Sequence, residues 1–276
     1  MSGRLVVVAP NRARRPGGEA ALIGPPTQEE LDTCPFCGGR EDRTPPETLT
    51  VGEPWRVRVV PNLYPAFDRQ EVVVHTPDHV RTFADVAAED ATRVAEAWRE
   101  RARAAAAAGF PYVHAFLNEG RAAGASLAHS HSQLVWLREA PPATRTGHGE
   151  CGVCTLLGGG DALTVLERDG LVATVTPAGR VPYELLIAPT AHEARGFESE
   201  LLPAALGLLG ETVRALRAVE GPVPWNAWLH DTGHWHLEVV PRLTTLAGIE
   251  LGAGIFVLTV PPEDAAERLR DALAAR

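Results

Sequence analysis

All four cysteines of this 276-residue chain lie in two Cys-x-x-Cys pairs, and each pair is followed by a single histidine and then by a His-x-His. The first set is Cys34, Cys37, His79 and His129-Ser130-His131, and the second is Cys151, Cys154, His192 and His234-Trp235-His236. The single histidine follows the first cysteine by 45 residues in one set and by 41 in the other, and the His-x-His begins after a further 50 and 42 residues. Similar spacing in both sets indicates that the chain is a duplicated unit.

Two thiolates and two imidazoles form a complete tetrahedral ligand set for zinc, and each copy of the motif supplies one such set. The predicted ligands are Cys34, Cys37, His79 and His129 for the first zinc, and Cys151, Cys154, His192 and His234 for the second. The alternative is that the thiols are buried free cysteines beside unrelated histidines, which the twofold repetition disfavours. Because no coordination position is left open for water, we expect both zinc ions to be structural.

Composition narrows the classes of function. The formal net charge of −9 argues against general nucleic-acid binding, which needs a basic surface. No apolar run approaches the roughly 20 residues of a membrane span, and the apolar stretch at residues 5–9 is too short for a signal-peptide core. We therefore expect no nucleic-acid partner, no membrane partner and a cytoplasmic location, where paired thiols serve as metal ligands rather than disulfides.

Local patterns predict the same order of elements in both halves. In the first half, strands at residues 55–60, 72–75, 112–117 and 131–137 accompany a long helix at residues 83–108. In the second half, strands at residues 172–176, 184–188 and 236–240 accompany a helix at residues 198–219, and a terminal helix follows at residues 263–274. The prediction is an α+β fold of two tandem units, residues 1–140 and 141–276, each with an antiparallel sheet and a long helix.

The first half also places a histidine next to a predicted metal ligand. If His129 binds zinc, then His131 faces the same side of a strand, and Gln133 is next along that face. The preceding loop, residues 118–126, is rich in glycine and alanine, so its backbone N–H groups can come close to an anion such as phosphate. A neutral imidazole beside a phosphate is a competent nucleophile, whereas the alternative is that His131 is a core histidine.

Taken together, these motifs resemble the galactose-1-phosphate uridylyltransferase family, a branch of the histidine-triad superfamily. The resemblance rests on His-Ser-His-Ser-Gln at residues 129–133, Gly-Ala-Ser at residues 124–126, the arginine segment at residues 9–16, Cys-Pro-Phe-Cys-Gly at residues 34–38, and residues 60–65 and 76–79. It implies two histidine-triad-like units in one duplicated structure, and a homodimer in which the partner chain completes the site.

For the reaction, the resemblance implies a double displacement. His131 would attack the α-phosphorus of a nucleoside diphosphate sugar and release a sugar 1-phosphate, and a second phosphate would then attack the nucleotidyl-histidine. Gln133 and Ser126 would hold phosphoryl oxygens, Arg12 and Arg15 would hold phosphate groups, and Asn62 and Asn118 would lie in the nucleotide site. The alternative for the arginines is a solvated basic turn.

Two departures from the family pattern bear on the substrate. The best-known members have His-Pro-His-Gly-Gln, whereas this chain has Ser130 and Ser132, and its second half holds a full Cys2His2 set where many members use other ligands. Both departures resemble a sister group that includes ADP-glucose phosphorylase. We expect uridylyl transfer from UDP-glucose to a hexose 1-phosphate. The alternatives are adenylyl transfer from ADP-glucose to phosphate, and a non-catalytic, zinc-stabilised nucleotide-binding protein.

Position 133 favours transfer over hydrolysis. Typical histidine-triad hydrolases have a third histidine there, which can protonate a leaving alcohol or amine. Glutamine cannot supply a proton near neutral pH, and a sugar phosphate leaves without one. The second half has Glu238 at the corresponding position, so we expect His236 to be non-catalytic.

Overall fold

The secondary structure follows the repeated order of the motifs. A computed structural model of the protein describes residues 4–14, 20–144 and 151–275. Within these ranges the strands are β1 (Leu5–Val8), β2 (Leu49–Val51), β3 (Val57–Pro61), β4 (Gln70–Val74), β5 (Tyr112–Glu119), β6 (His131–Leu137), β7 (Thr164–Arg168), β8 (Leu171–Val175), β9 (Leu185–Pro189), β10 (Trp225–His230), β11 (His236–Pro241) and β12 (Ile255–Leu258). The helices are α1 (Gln28–Thr33), α2 (Ala88–Ala107), α3 (Gly152–Leu157), α4 (Leu202–Glu220), α5 (Gly248–Ala253) and α6 (Pro262–Ala274).

Ten of these strands form one antiparallel sheet, in the order β2-β3-β4-β6-β5-β10-β11-β9-β8-β7. Counted outward from the central β5–β10 pair, the order is β5, β6, β4, β3, β2 on one side and β10, β11, β9, β8, β7 on the other. The second half therefore repeats the topology of the first, and the two half-sheets are continuous. The remaining strands, β1 and β12, form a separate parallel pair. The predicted α+β class with an antiparallel sheet is confirmed.

The long helices lie on one face of the sheet. Helix α2 comes from the first half and α4 from the second; they pack against each other, and α6 packs beside α4. Because side chains alternate along a strand, each strand presents one set of residues to this core. In β5 the set is Val113, Ala115 and Leu117, and the intervening side chains point to the opposite face. That opposite face carries His131 and Gln133.

Several elements differ from the prediction. The first long helix begins at Ala88 rather than at residue 83, because Thr82 caps a separate short turn at Phe83–Asp85. The second begins at Leu202 rather than at residue 198, and Pro203 occupies its first turn, where proline is tolerated. The sequence pattern does not predict β2, β7, β10 or β12. Strand β10 carries tryptophan on both of its faces, so it lacks the apolar–polar alternation that marks a half-buried strand.

The boundary between residues 140 and 141 stays a prediction. The described chain leaves β6 at Leu137 and enters α3 at Gly152, and residues 145–150 lie outside the described residues. Within the described part of the chain, no helix is both long enough and apolar enough to cross a membrane.

Candidate functional site

The first Cys2His2 set comes together where β4 ends and β6 begins. These two strands are antiparallel neighbours, so His79, just after β4, and His129, just before β6, lie at the same edge of the sheet. Cys34 follows the last residue of α1, and Cys37 lies in the turn beyond it. The four ligand atoms all lie within 4.8 Å of one another. The structure thus brings together the four residues that the sequence predicts.

The donor set and its spacing fit zinc. Cys37 Sγ is 3.2 Å from His79 Nδ1, and Cys34 Sγ is 3.4 Å from His129 Nδ1. Tetrahedral zinc, with Zn–S of about 2.3 Å and Zn–N of about 2.0 Å, separates sulfur from nitrogen by about 3.5 Å. Burial, together with the neighbouring Cys34, raises the pKa of Cys37 to about 11, so a pair of thiolates here needs a bound cation.

Each histidine of this set is oriented through its other ring nitrogen. His129 Nε2 donates to the backbone carbonyl of Thr76 at 2.9 Å, and His79 Nε2 donates to Glu30 Oε1 at 2.9 Å. These hydrogen bonds leave Nδ1 of both rings unprotonated and directed at the cysteine sulfurs. Such support of metal-binding imidazoles by a carbonyl or carboxylate is typical of zinc sites.

The second Cys2His2 set repeats this arrangement between β9 and β11. Cys154 Sγ is 3.2 Å from His192 Nδ1 and 3.3 Å from His234 Nδ1, and Cys151 completes a group within 4.8 Å. His234 Nε2 donates to the carbonyl of Pro189 at 2.9 Å, as His129 does to Thr76 in the first set. Both clusters can therefore hold a metal ion, and their ligands are those of zinc.

His131 begins β6 on the face opposite the helices. Its side chain is 8% exposed, and the ring of Phe36 packs edge-on against it with 5.4 Å between centroids. His131 Nδ1 donates to the backbone carbonyl of His129 at 2.7 Å, which leaves Nε2 with a free lone pair. Burial lowers the pKa of His131, which favours this neutral form. Of the two ring nitrogens, Nε2 therefore carries the lone pair that a nucleophile needs.

Gln133 lies two residues further along the same face and forms a network of side-chain amides. Its Oε1 accepts hydrogen bonds from Gln70 Nε2 at 2.7 Å and from Asn62 Nδ2 at 3.3 Å. Gln70 Oε1 accepts from the backbone N–H of Ala66 at 2.8 Å, and Asn62 Oδ1 accepts from that of Tyr64 at 2.9 Å. The structure brings the predicted pair Asn62 and Gln133 together and adds Gln70, for which the sequence carries no motif.

The glycine-rich loop after β5 is held by residues of the second half. Asn226 Nδ2 donates to Asn118 Oδ1 at 2.7 Å and to the carbonyl of Ala123 at 2.8 Å. Gly120 has φ of +84°, and a Cβ there would lie 2.9 Å from the Cβ of Pro224, so only glycine fits. Asn118 is left with its amide nitrogen as a donor. Asn226 lies on β10, a strand that the sequence pattern does not predict.

On the core side of β6, a buried histidine joins the two serines of the signature. His75 Nδ1 is 2.9 Å from Ser130 Oγ, and Nε2 is 2.9 Å from Ser132 Oγ, which also accepts from Trp98 Nε1 at 2.9 Å. Complete burial holds the pKa of His75 well below its usual value. The ring is therefore neutral and can donate through one nitrogen and accept through the other.

Two adjacent cavities lie next to the first metal cluster. A cleft of about 590 Å³ is lined by residues of the glycine-rich loop, among them the predicted Ser126, and by His79 and His129. The wall of a narrower pocket beside it contains Asn118 and His131. The two cavities share His129 and part of the glycine-rich loop, and His131 lies in the wall of the narrower one.

Within the described part of a single chain, the structure does not place the predicted phosphate-binding arginines beside His131 or the glycine-rich loop. Arg12 is exposed in the short turn after β1, and within the described residues it belongs to the wall of neither cavity. Arg15 lies outside the described residues. The roles of both arginines stay predictions.

The corresponding face of the second half has a different chemistry. His236 donates through Nδ1 to a backbone carbonyl two residues earlier, but its ring stacks on His230 with 4.4 Å between centroids. Glu238 accepts a hydrogen bond from His230 at 2.8 Å and another from Arg180. Burial disfavours the carboxylate, yet the His230 hydrogen bond and the Arg180 charge hold the pKa of Glu238 at about 2. A carboxylate here would repel a phosphoryl group, which supports a non-catalytic His236.

The chain is similar in sequence to proteins of known activity. Residues 63–142 match the N-terminal domain of galactose-1-phosphate uridyl transferase. Over this stretch the chain is therefore similar to the galactose-1-phosphate uridylyltransferase family. Similar proteins of this family include the ADP-glucose phosphorylase of Arabidopsis thaliana, which is 27% identical over 98% of this chain and 91% of its own length. They also include the galactose-1-phosphate uridylyltransferase of Thermotoga maritima, which is 25% identical over 91% of this chain and 93% of its own length.

Solved structures of the family share the fold. The ADP-glucose phosphorylase from Arabidopsis thaliana with bound ADP-glucose superimposes with a TM-score of 0.82 at 26% identity, over 96% of this chain and 95% of the other. A uridylyltransferase structure superimposes with a TM-score of 0.78 at 29% identity, over 95% of this chain and 97% of the other. The resemblance expected from the sequence is therefore confirmed, and relatives of both named activities match over nearly the whole chain.

Proposed function

We propose that this protein is a nucleotidyltransferase that takes a nucleoside monophosphate from a nucleoside diphosphate sugar through a covalent intermediate on His131. The observation that carries the proposal is the state of His131: its Nδ1 is held by the carbonyl of His129 at 2.7 Å, and its Nε2 is free beside the glycine-rich loop. The matching copy, His236, sits beside a carboxylate instead.

In the first half-reaction, the Nε2 lone pair of His131 forms a bond to the α-phosphorus. The bond from that phosphorus to the bridging oxygen breaks, and its electron pair leaves with the sugar 1-phosphate. The modified ring carries a positive charge while it keeps its Nδ1 proton. The hydrogen bond from Nδ1 to the His129 carbonyl stabilises that charge as it develops.

In the second half-reaction, a phosphate oxygen of the acceptor attacks the same phosphorus. The N–P bond breaks, its electron pair returns to Nε2, and neutral His131 is restored. Neither half-reaction needs a proton donor, which agrees with an amide rather than an imidazole at position 133. The amide of Gln133 and the N–H groups of the loop would hold phosphoryl oxygens in both steps.

Zinc bound by Cys34, Cys37, His79 and His129 would cross-link the Cys-x-x-Cys turn to the start of β6. The residues of the site depend on that cross-link, because His129 both contributes a ligand atom and supplies the carbonyl that holds His131. We propose a zinc in the second cluster as well, with a purely structural role. Four cysteines placed as metal ligands rather than in disulfides also support the cytoplasmic location expected from the sequence.

Two versions of the reaction are open to the same residues. Uridylyl transfer from UDP-glucose to a hexose 1-phosphate is the version first expected from the sequence. Adenylyl transfer from ADP-glucose to phosphate has equal support, because the Arabidopsis ADP-glucose phosphorylase matches 98% of the chain. A nucleotide-binding protein without catalysis would not need an unprotonated Nε2 at the pocket wall.

The test is an intact-mass measurement. The purified protein is incubated with UDP-glucose or with ADP-glucose in the absence of an acceptor. We expect the chain to gain the mass of one uridylyl or one adenylyl group, in an acid-labile form as phosphoramidates are, and the nucleotide that gives the adduct identifies the substrate. No gain of mass with either nucleotide sugar, in protein that holds its zinc, would leave only the binding function.

A further inference from the structure

We propose that Gln70 is a positioning residue, which orients the amide of Gln133 so that Nε2, and not Oε1, faces the transferring phosphoryl group. The inference rests on the proposed function. A phosphoryl oxygen accepts hydrogen bonds and cannot donate them, so Gln133 helps the reaction only with its NH2 group turned toward the phosphorus.

The shape of a glutamine side chain does not settle this orientation. The oxygen and nitrogen of a primary amide are nearly equal in size, so the group can turn over with little change in packing. Turned over, Gln133 would present an acceptor to another acceptor. The orientation must therefore come from its hydrogen-bond partners.

The orientation can be traced to a group that can only donate. The backbone N–H of Ala66 is 2.8 Å from one end of the Gln70 amide, so that end must be the oxygen. The other end of Gln70 is then the nitrogen, and it lies 2.7 Å from Gln133. The atom of Gln133 at this contact is therefore Oε1, which leaves Nε2 for the substrate.

A second path reaches the same result independently. The backbone N–H of Tyr64 is 2.9 Å from Asn62 Oδ1, which turns Asn62 Nδ2 toward Gln133 Oε1 at 3.3 Å. The contact from Gln70 is shorter by 0.6 Å, the difference between 3.3 and 2.7 Å, and is the stronger of the two. The two backbone N–H groups that begin these paths, those of Ala66 and Tyr64, lie in the loop between β3 and β4. This loop therefore determines which end of the Gln133 amide is turned toward the phosphate.

The experiment replaces Gln70 by glutamate and follows single-turnover nucleotidyl transfer to His131 between pH 8 and pH 5. An ionised carboxylate cannot donate a hydrogen bond, so in Gln70→Glu the Gln133 amide loses its main orienting donor and meets a second acceptor. We expect the transfer rate at pH 8 to fall about 10²-fold, with the apparent binding constant for the nucleotide sugar much less affected. As the pH falls, the introduced carboxyl becomes protonated and can donate again, so the ratio of variant to wild-type rate should rise by about tenfold or more.

Two further variants separate orientation from charge and from folding. Gln28→Glu makes the same change on the exposed side of α1, where Gln28 contacts Asp32, and it should transfer at the wild-type rate. Gln70→Met removes the donor without adding an acceptor, so it should lose less than Gln70→Glu and show no recovery at low pH. Zinc content and the thermal midpoint are measured for every variant.

The possible outcomes are distinct. If the wild type forms no nucleotidyl adduct with UDP-glucose or ADP-glucose, the proposed function is wrong and the role of Gln70 falls with it. Two results with a reactive wild type would show that Gln70 has no orienting role. One is a transfer rate in Gln70→Glu equal to that of the wild type; the other is a rate that is lower than the wild-type rate by the same factor at every pH. If Gln70→Glu does not fold, a full transfer rate in Gln70→Met overturns the proposal.

Discussion

At the scale of single residues, the two halves of the chain offer a matched pair of histidines. His131 and His236 both donate through Nδ1 to the carbonyl two residues earlier, yet one has an amide at the next position along its face and the other has a carboxylate. The same strand geometry therefore carries different side-chain chemistry in the two copies.

This pair gives the first prediction. His131→Ala should abolish nucleotidyl transfer, because no other group can take the place of Nε2, while zinc content and folding persist. His236→Ala should leave transfer within about twofold of the wild-type rate, since it lies outside the reacting groups. Intact mass and turnover are measured for both. A dead His236→Ala with an active His131→Ala would mean that the second copy is the catalytic one.

A second prediction concerns a buried carboxyl close to the pocket. Burial raises the pKa of Glu119 from 4.5 to about 7, although its Oε2 accepts a hydrogen bond from the Phe83 N–H at 3.0 Å. The folded chain keeps this proton in a pH range where the unfolded chain has lost it. Stability should therefore fall as pH rises from about 4.5 to about 7, by roughly 3 kcal/mol from this group.

Glu119→Gln tests that effect, because the amide stays neutral and its oxygen can still accept from Phe83. We expect the variant to be more stable than the wild type at pH 8, with the difference shrinking toward pH 5, as measured by urea unfolding. Glu198→Gln, at an exposed position, should show no such trend. Parallel stability curves for Glu119→Gln and the wild type would contradict the prediction.

The metal ligands and His131 could be predicted from the sequence because each belongs to a motif that occurs twice at similar spacing. Gln70, Asn226 and His75 could not, because each acts through a partner distant in sequence and none stands in a repeated pattern. Asn226, for example, contacts Asn118 across 108 residues of chain. Such partners become visible only when the strand order is known.

At the scale of elements, buried hydrogen bonds hold β6 on its core-facing side. On the core side, Ser130 and Ser132 share the ring of His75, and Trp98 adds a third contact. The helix pattern at residues 83–108 and the strand pattern at residues 131–137 are strong enough to predict both elements, although the helix itself begins at Ala88. The hydrogen bonds between them depend on a register that the pattern does not contain.

This anchoring gives a third prediction. Ser132→Ala removes a hydroxyl that contacts both His75 and Trp98, and leaves buried polar nitrogens without a partner. We expect a loss of about 1–3 kcal/mol in the free energy of unfolding, measured by urea titration. Thr92→Ala, which removes an exposed hydroxyl on α2, should change stability by less than about 0.5 kcal/mol. An equal effect of the two substitutions would show that the buried contacts carry no net stability.

At the scale of the whole molecule, the duplicated metal clusters give a fourth prediction. We expect two zinc ions per chain by elemental analysis, and one in each of the variants Cys34→Ser and Cys151→Ser. Both variants should be destabilised, because zinc binding contributes folding free energy directly. Cys34→Ser should lose more transfer activity, since its cluster includes the residue that holds His131. A single zinc ion in the wild-type protein would show that one of the two clusters does not bind zinc.

The fifth prediction is a homodimer, in which Arg12 reaches the pocket of the other chain. Arg12 is exposed and lies outside both cavities in its own chain, so a contact with phosphate would need a second copy. Light scattering should give twice the chain mass. When inactive Arg12→Ala and His131→Ala chains are mixed and allowed to exchange, about a quarter of the sites should become complete. A fully active monomer would contradict this prediction.

The two ends of the ten-stranded sheet constrain how chains can associate. Strand β2 has only three residues, and the pairing of β7 with β8 shifts register between Thr164 and Leu166. Short or irregular edge strands offer few aligned N–H and C=O groups to a strand of another molecule. Natural sheets avoid edge-to-edge aggregation in this way. A sheet doubled in this way therefore ends at ten strands, and a second copy of the chain would associate through other surfaces of the molecule.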